Sequence, residues 1–340
     1  ALSRSLTVLQ ASLQSDVGIE LRPFRSLTVG FSYTQVRDLR DYGDTTSVGV
    51  LTRQDSRRLA GLSLGFERQR SLRTQLFYQP ALASWVRPRA SLTSGFNLNR
   101  DPSSGDPERE LGDSAGAFRI PMAFENQRSA DLGAAVDFAR LVRGLVGDSS
   151  FLASLAGRLN VLDLASRADR RSQYSRRGFS PDLSYQLAFG GLGAFRAQGA
   201  VLADAAYDTR EVRAGSGVRL PLGMSLTSEY SLRRTTSWAR RGEGQAELRQ
   251  TEVNWPNVAG RWTWSPPRGL LRRVITSMSG TVAYRFRETE SLQPRFEAGL
   301  PGSSLASEEI RSRQLTRAWP VSFTVSWAPR IITNASVSGS

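Results

Sequence analysis

The chain has 340 residues, 39% of them hydrophobic, a formal net charge of +14 and neither cysteine nor histidine. Without cysteine there are no disulfides, thiolate nucleophiles or zinc–thiolate sites, and without histidine the usual general base and metal ligand is missing. No run approaches the ~18 consecutive apolar residues of a membrane-spanning helix, but a transmembrane barrel stays open, because its strands need only ~10 residues with every second one apolar.

All of the positive charge is arginine, since the chain contains no lysine. That uniformity reads as coding bias before it reads as function, and the lack of cysteine suits a bacterial envelope protein and a cytosolic one alike. The chain begins at Ala1 without methionine and ends in "IITNASVSGS". The expectation is a segment of a longer polypeptide.

Period-2 alternation begins near the first residues and recurs to the last. Leu13, Val17, Ile19 and Leu21 oppose Asp16, Glu20 and Arg22, and Leu27, Val29, Phe31 and Tyr33 oppose Thr28, Gly30, Ser32 and Thr34. Further strands are expected at Ala60, Leu62, Leu64 and Phe66, and at Leu92, Phe96 and Leu98. From Leu59 to Leu98, however, strand parity stays open, because "FYQPALASW" reads as a turn, a bulge or a crossing segment.

At Phe138 to Leu159 the pattern changes, with Leu141, Val142, Leu145, Leu152 and Leu155 at helical spacing and Asp148 as a candidate cap. One or two short helices are expected there, dividing hairpins over residues 1–137 from hairpins over 160–340. Alternation then resumes at Val212, Val218 and Leu220, at Met224, Leu226, Tyr230 and Leu232, at Met278, Val282, Tyr284 and Phe286, and at Val321, Phe323, Val325 and Trp327.

The connections fall into two kinds. Short ones carry proline, at Arg22 to Ser26, Val86 to Ala90, Leu220 to Met224, Ser265 to Gly269 and Ala328 to Ile331. Long ones are polar, at Arg37 to Arg57, Asn99 to Arg119, Thr235 to Gln250 and Ser291 to Arg317. Short turns at one end and long loops at the other are what outer-membrane barrels show.

The faces support the same fold class, an all-β antiparallel transmembrane barrel or an arc of a larger one, with one short helical interruption. A sheet in hydrocarbon must satisfy every backbone N–H and C=O internally, so only a closed barrel serves, and its outward face must be free of charge. The opposite faces, rich in Gly, Ser, Thr, Gln and Arg, suit a wet lumen, where Glu20, Arg213, Arg219, Glu229, Arg261 and Arg285 are expected to point. Trp255, Trp262, Trp264, Trp319 and Trp327 are expected near short turns or strand ends, as an interfacial aromatic girdle. The competing reading makes them core aromatics of a soluble β domain.

Candidate chemistry is sparse. The densest acidic stretch, with Asp101, Asp106, Glu108, Glu110 and Asp113, lacks the spacing of a calcium loop and reads as a solvated surface loop. No glycine-rich phosphate loop links a strand to a helix. Arginine pairs such as Arg233–Arg234 and Arg240–Arg241 are scattered rather than striped, against a nucleic-acid partner and toward anionic lipid headgroups. No enzymatic activity, cofactor or metal is expected.

"FARLVRGLVGDSS" (138–150), "GFSPDLSYQLAFGGL" (178–192), "VRLPLGMSLTSEYSLRRTTSW" (218–238) and "NWPNVAGRWTWSP" (254–266) resemble, in order, the later part of the SprA (Sov) family. The resemblance implies a giant outer-membrane barrel that conducts proteins in type IX secretion, linked in some bacteria to gliding motility. These residues would then form an arc of about a dozen strands, with lipid and lipopolysaccharide outside, secreted proteins within, and plug and shuttle proteins as partners. The alternatives are a smaller porin or adhesin barrel and a soluble basic all-β binding module.

Overall fold

The computed structural model describes residues 11–40, 47–56, 58–59, 62–101, 108–109, 118–147, 150–242, 244–266, 274–295, 307–328 and 331–339. Twelve long strands form one sheet in simple chain order. They are β1 (Ser12–Phe24), β2 (Leu27–Asp38), β3 (Phe66–Tyr78), β4 (Val86–Arg100), β5 (Met122–Val136), β6 (Leu162–Arg177), β7 (Ala205–Arg219), β8 (Met224–Arg241), β9 (Gly244–Trp264), β10 (Ile275–Arg295), β11 (Ser307–Trp327) and β12 (Ile331–Gly339). Every neighbouring pair is antiparallel. Among the described residues β1 and β12 do not pair with each other, so the sheet keeps two open edges.

The expected all-β antiparallel architecture is therefore present, and the parity left open between Leu59 and Leu98 resolves. Arg58–Leu59 and Leu62–Ser63 form a two-residue hairpin of their own, and the wall strand starts only at Phe66. The alternation at Leu62, Leu64 and Phe66 is not one strand; Ala60 lies outside the described residues. "FYQPALASW" contains the end of β3 and a turn over 79–85, closed by a bridge between Ala83 and Val86.

Two expected loops are strands, and of a third, Ser291 to Arg317, residues 291–295 and 307–317 belong to paired strands as well. Pro88 pairs with Ala134 inside β4 rather than forming a turn. It is tolerated because β3 pairs with β4 only from Ala90 onward, leaving one side of Pro88 without a partner strand for its missing N–H to serve. Thr235 to Gln250 is the tip of a hairpin in which Arg241 faces Gly244. Both of its faces are polar, so hydropathy gives no strand signal there.

At one end of the sheet the connections are compact. Arg25 and Ser26 join β1 to β2. Leu222 and Gly223, at φ 62° and 72°, turn β7 into β8. A Cβ on Gly223 would stand 2.2 Å from the Thr263 carbonyl oxygen, so both conformation and space demand glycine.

The far end carries longer connections, including the one with α1 (Ser47–Gln54) between β2 and β3. The connection over 296–306 lies outside the described residues, as does most of the acidic stretch around Asp106, Glu110 and Asp113.

The helical interruption sits between β5 and β6, at the compact end, as α2 (Phe138–Val146) and α3 (Phe151–Ala156). Asp137 caps α2 by accepting from the Arg140 N–H, and Ser150 caps α3 by accepting from the Ala153 N–H at 3.0 Å. Asp148, the cap expected from sequence, lies outside the described residues.

One long connection at the far end does not read from alternation. Residues 178–204, with α4 (Leu183–Gln186) and α5 (Leu192–Arg196), fold back over the sheet. There Tyr185 packs with Phe96, Phe124, Tyr174 and Phe195, ring centroids 5.7 to 6.2 Å apart. Ser172 and Tyr185 share a hydroxyl hydrogen bond of 2.7 Å. Arg128 donates to the Ala188 carbonyl, and Asn126 donates to the Tyr185 carbonyl. This cluster is the main buried core of the described chain.

Two outcomes follow for this connection. Tyr185→Ala removes the central ring, a change that costs ~3–5 kcal/mol in a packed site. Limited proteolysis should then cut within 178–204 while the twelve-strand sheet stays resistant. Burial also raises the Tyr185 phenol above its ordinary value of 10.0, outweighing the Ser172 hydrogen bond. The docked state thus prefers the neutral phenol, so docking is at full strength below pH 10 and weakens as pH rises beyond it. The same proteolysis across an alkaline series measures this.

Candidate functional site

The candidate element is the wall itself, and its two faces follow from register. Side chains alternate along a strand, and cross-strand partners share a face. On one face Val218, Leu226, Gly260, Val282, Val321 and Val337 stand opposite one another across β7 to β12. The same face holds Leu21, Val29, Leu76, Leu92 and Ala130 across β1 to β5. These side chains lie open, with Val282 54% and Val337 73% exposed. A continuous apolar patch of this extent marks a surface that meets something other than water.

Apolar character covers only the part of each strand nearest the compact end. Moving away from it, the first charged residue on this face is Arg37 on β2, Arg70 on β3, Arg100 on β4, Arg128 on β5 and Arg170 on β6. It is Arg210 on β7, Arg234 on β8, Arg249 on β9 and Arg317 on β11, with Glu288 on β10 as the exception. An arginine collar therefore borders the apolar band.

The aromatic residues sort by height within that band. Trp262, Trp264 and Trp327 lie at the compact end, where the Trp327 indole N–H donates to the Thr333 hydroxyl at 3.1 Å. Trp255 and Trp319 do not lie at strand ends as expected; both sit mid-strand. They pair there with Tyr230 and Tyr284, at centroid distances of 6.2 and 4.2 Å. The five tryptophans thus form two rows. From Trp319 to Trp327 is ~26 Å along the strand at ~3.3 Å per residue, or ~20 Å after a ~40° tilt, against the ~25 Å band of an outer-membrane barrel.

The opposite face is mainly polar, with scattered apolar residues such as Phe77 and Leu248. Glu211, Arg233, Glu252 and Thr289 form one cross-strand row, and Arg213, Ser231, Asn254 and Arg287 the next. Ion pairs lace it together: Arg213 with Glu211 at 2.5 Å, Arg287 with Glu252 at 2.8 Å, Arg171 with Glu125 at 2.9 Å. On an exposed surface each contributes little stability, so their value is a fixed pattern of charge.

All six residues expected to share a face do so by register. Arg213, Glu229 and Arg285 come together around one hollow of about 420 Å³, with Asn257 between the last two. Arg219 and Arg261 both oppose Ser225 nearer the compact end. Glu20, paired with Arg22 at 2.7 Å, stands apart on β1, six strands from Arg213 and so ~29 Å across the sheet.

Sequence reasoning missed the arginine collar and the connection over 178–204. The first could have been found by asking which residue ends each apolar series. For the second, the signal was the loss of period after Arg177, followed by Phe179, Tyr185 and Phe195 at irregular spacing. Among the described residues no group of acidic side chains is placed to hold a metal ion.

No family model and no curated protein matches the chain. Among solved structures it is similar to the ferric yersiniabactin uptake receptor FyuA from Yersinia pestis, at 10% identity and a TM-score of 0.40, over 93% of this chain and 42% of that one. It is also similar to the FrpB iron transporter from Neisseria meningitidis, at 13% identity and a TM-score of 0.43, over 97% and 44% of the two chains. CdiB from Acinetobacter baumannii shares 9% identity at a TM-score of 0.25, over 97% and 57%. The chain spans less than half the length of FyuA and FrpB.

Proposed function

We propose that the chain forms part of the wall of a bacterial outer-membrane barrel that conducts proteins, of the SprA type. One observation carries the membrane reading. Over twelve strands, one face is free of charge near the compact end, while the reverse face is mainly polar and carries charged residues along most strands. A soluble sandwich would bury the apolar face; this one is open.

Strand length supports the same reading. β9, β10 and β11 have 21 residues each, about twice the ~9–11 that cross a bilayer. Their apolar halves fit the membrane, and the charged halves project beyond it on the side of the long connections, the extracellular side in such barrels. The open edges at β1 and β12 would pair with further wall strands, because an unpaired edge in hydrocarbon costs several kcal/mol per group. The protein-conducting and type IX part of the reading is supported by the segment resemblance over residues 138–266.

In this role the chain does no covalent chemistry. The polar face lines the conduit, and Glu20, Arg213, Arg219, Glu229, Arg261 and Arg285 contribute to the field that a passing polypeptide meets. Sealing and gating fall to plug and shuttle proteins.

Two measurements test this. Val282→Arg places a charge at the middle of the apolar band, at a cost of ~2–4 kcal/mol in a bilayer. The neighbouring Thr281→Arg places the same charge on the polar face. Heat-modifiable mobility of membrane extracts should show loss of folded barrel for the first and none for the second; equal behaviour would defeat the face assignment.

The second measurement is an immunoblot of fractionated cells. A band far above the 37.4 kDa of this chain, in the outer membrane, agrees with the large translocon. A band near that mass in the same fraction points to a small porin or adhesin, and a soluble band ends the membrane reading. In the outer-membrane case, reversing several of the six charges should alter secretion while leaving assembly intact.

A further inference from the structure

We propose that the exposed pair of the arginine collar, Arg210 and Arg234, is a binding site for the phosphate groups of lipopolysaccharide. The inference rests on the membrane reading above and goes beyond it by naming the ligand chemistry and the residues.

Arg210 and Arg234 stand directly opposite each other on β7 and β8. Like charges in that relation destabilise a sheet unless an anion lies between or beside them. The protein supplies only part of one. Asp208 accepts from Arg170 at 2.9 Å and lies 3.3 Å from Arg210, so a single carboxylate, 9% exposed, already serves two guanidiniums. Arg234 has no hydrogen bond or ion pair among the described residues, and the Arg210 side chain is 64% exposed. The pair therefore carries uncompensated positive charge into its surroundings.

Position identifies the ligand. One step toward the compact end the same two strands present Val212 opposite Leu232, the upper margin of the apolar band. The pair thus sits where hydrocarbon gives way to headgroups, on the side of the long connections. In an outer membrane that level of the outer leaflet is occupied by phosphorylated glycolipid. A guanidinium presents paired N–H donors that match phosphate oxygens two at a time. Arg317, which also stacks over the Phe286 ring with its cation 5.8 Å from the centroid, continues the collar on β11.

The test uses the full-length protein purified from outer membranes in mild detergent, with retained lipopolysaccharide measured per mole of protein. R210Q/R234Q should retain about tenfold less, the equivalent of losing one charge-assisted contact. R167Q/R233Q, on the opposite face, should retain as much as the parent. Detergent-purified parent protein should also bind added lipopolysaccharide more tightly than the same lipid after dephosphorylation, and the difference should shrink with rising salt.

Unchanged retention in a double variant still found in the outer membrane overturns the collar and leaves the wall reading standing. Equal binding of the dephosphorylated lipid overturns it too, and needs no variant to fold. Absence of the parent protein from the outer membrane overturns the wall reading itself.

Discussion

The structure depends on one constraint, that each strand's backbone hydrogen bonds are met by its neighbours in the chain. A meander of twelve antiparallel strands satisfies N–H and C=O groups in place, without helices and without crossovers. Register then assigns each side chain to a face with no further choice, because a slip of one residue would exchange the faces entirely. Local bulges, such as those between Glu229 and Ser231 or between Asn254 and Asn257, absorb irregularity without losing that assignment.

Height along the strand is the second coordinate, and it arises from charge rather than from backbone. The lower half of each strand separates apolar from polar by face. Toward the far end many positions are polar on both faces, as in Thr236 beside Ser237 or Glu290 beside Ser291, except where Phe124, Tyr174 and Trp238 meet the connection over 178–204. A single face pattern would describe a sheet lying on a core; a face pattern kept to the end of the strands nearest the short turns describes a sheet passing through a slab. The connection over 178–204 covers the outward face toward the far end of the strands, where Tyr185 finds Phe96, Phe124 and Tyr174.

How much of this was legible before the structure depended on contrast between faces. The hairpin at Leu13 to Tyr33 and the strand at Met224 to Leu232 read correctly because apolar and polar residues alternate there, with departures such as Ser15 and Ser228. The hairpin tip at Thr235 to Gln250 did not, since Thr, Ser, Arg and Glu on both faces look like loop to any hydropathy measure. Pro88 misled for the opposite reason: proline usually punctuates, and only the late start of β3 pairing at Ala90 makes it harmless. The face of the six polar residues was readable from parity, but their grouping was not. Whether Arg213 meets Glu229 or Glu20 depends on which strands adjoin, and parity carries no such information.

The arginines make the same point about composition. Coding bias can explain why every cation in the chain is arginine, but it cannot explain where they stand. Although 22% of the chain is charged, no charged residue falls on the apolar face below the collar on any of the twelve strands. On most strands the first to appear is arginine rather than aspartate or glutamate. Bias acting on codons is blind to face, so an uncharged stretch kept to one face on strand after strand reflects a physical surface that met the protein there. That surface is apolar below, and the exposed guanidinium of Arg234 stands at its edge.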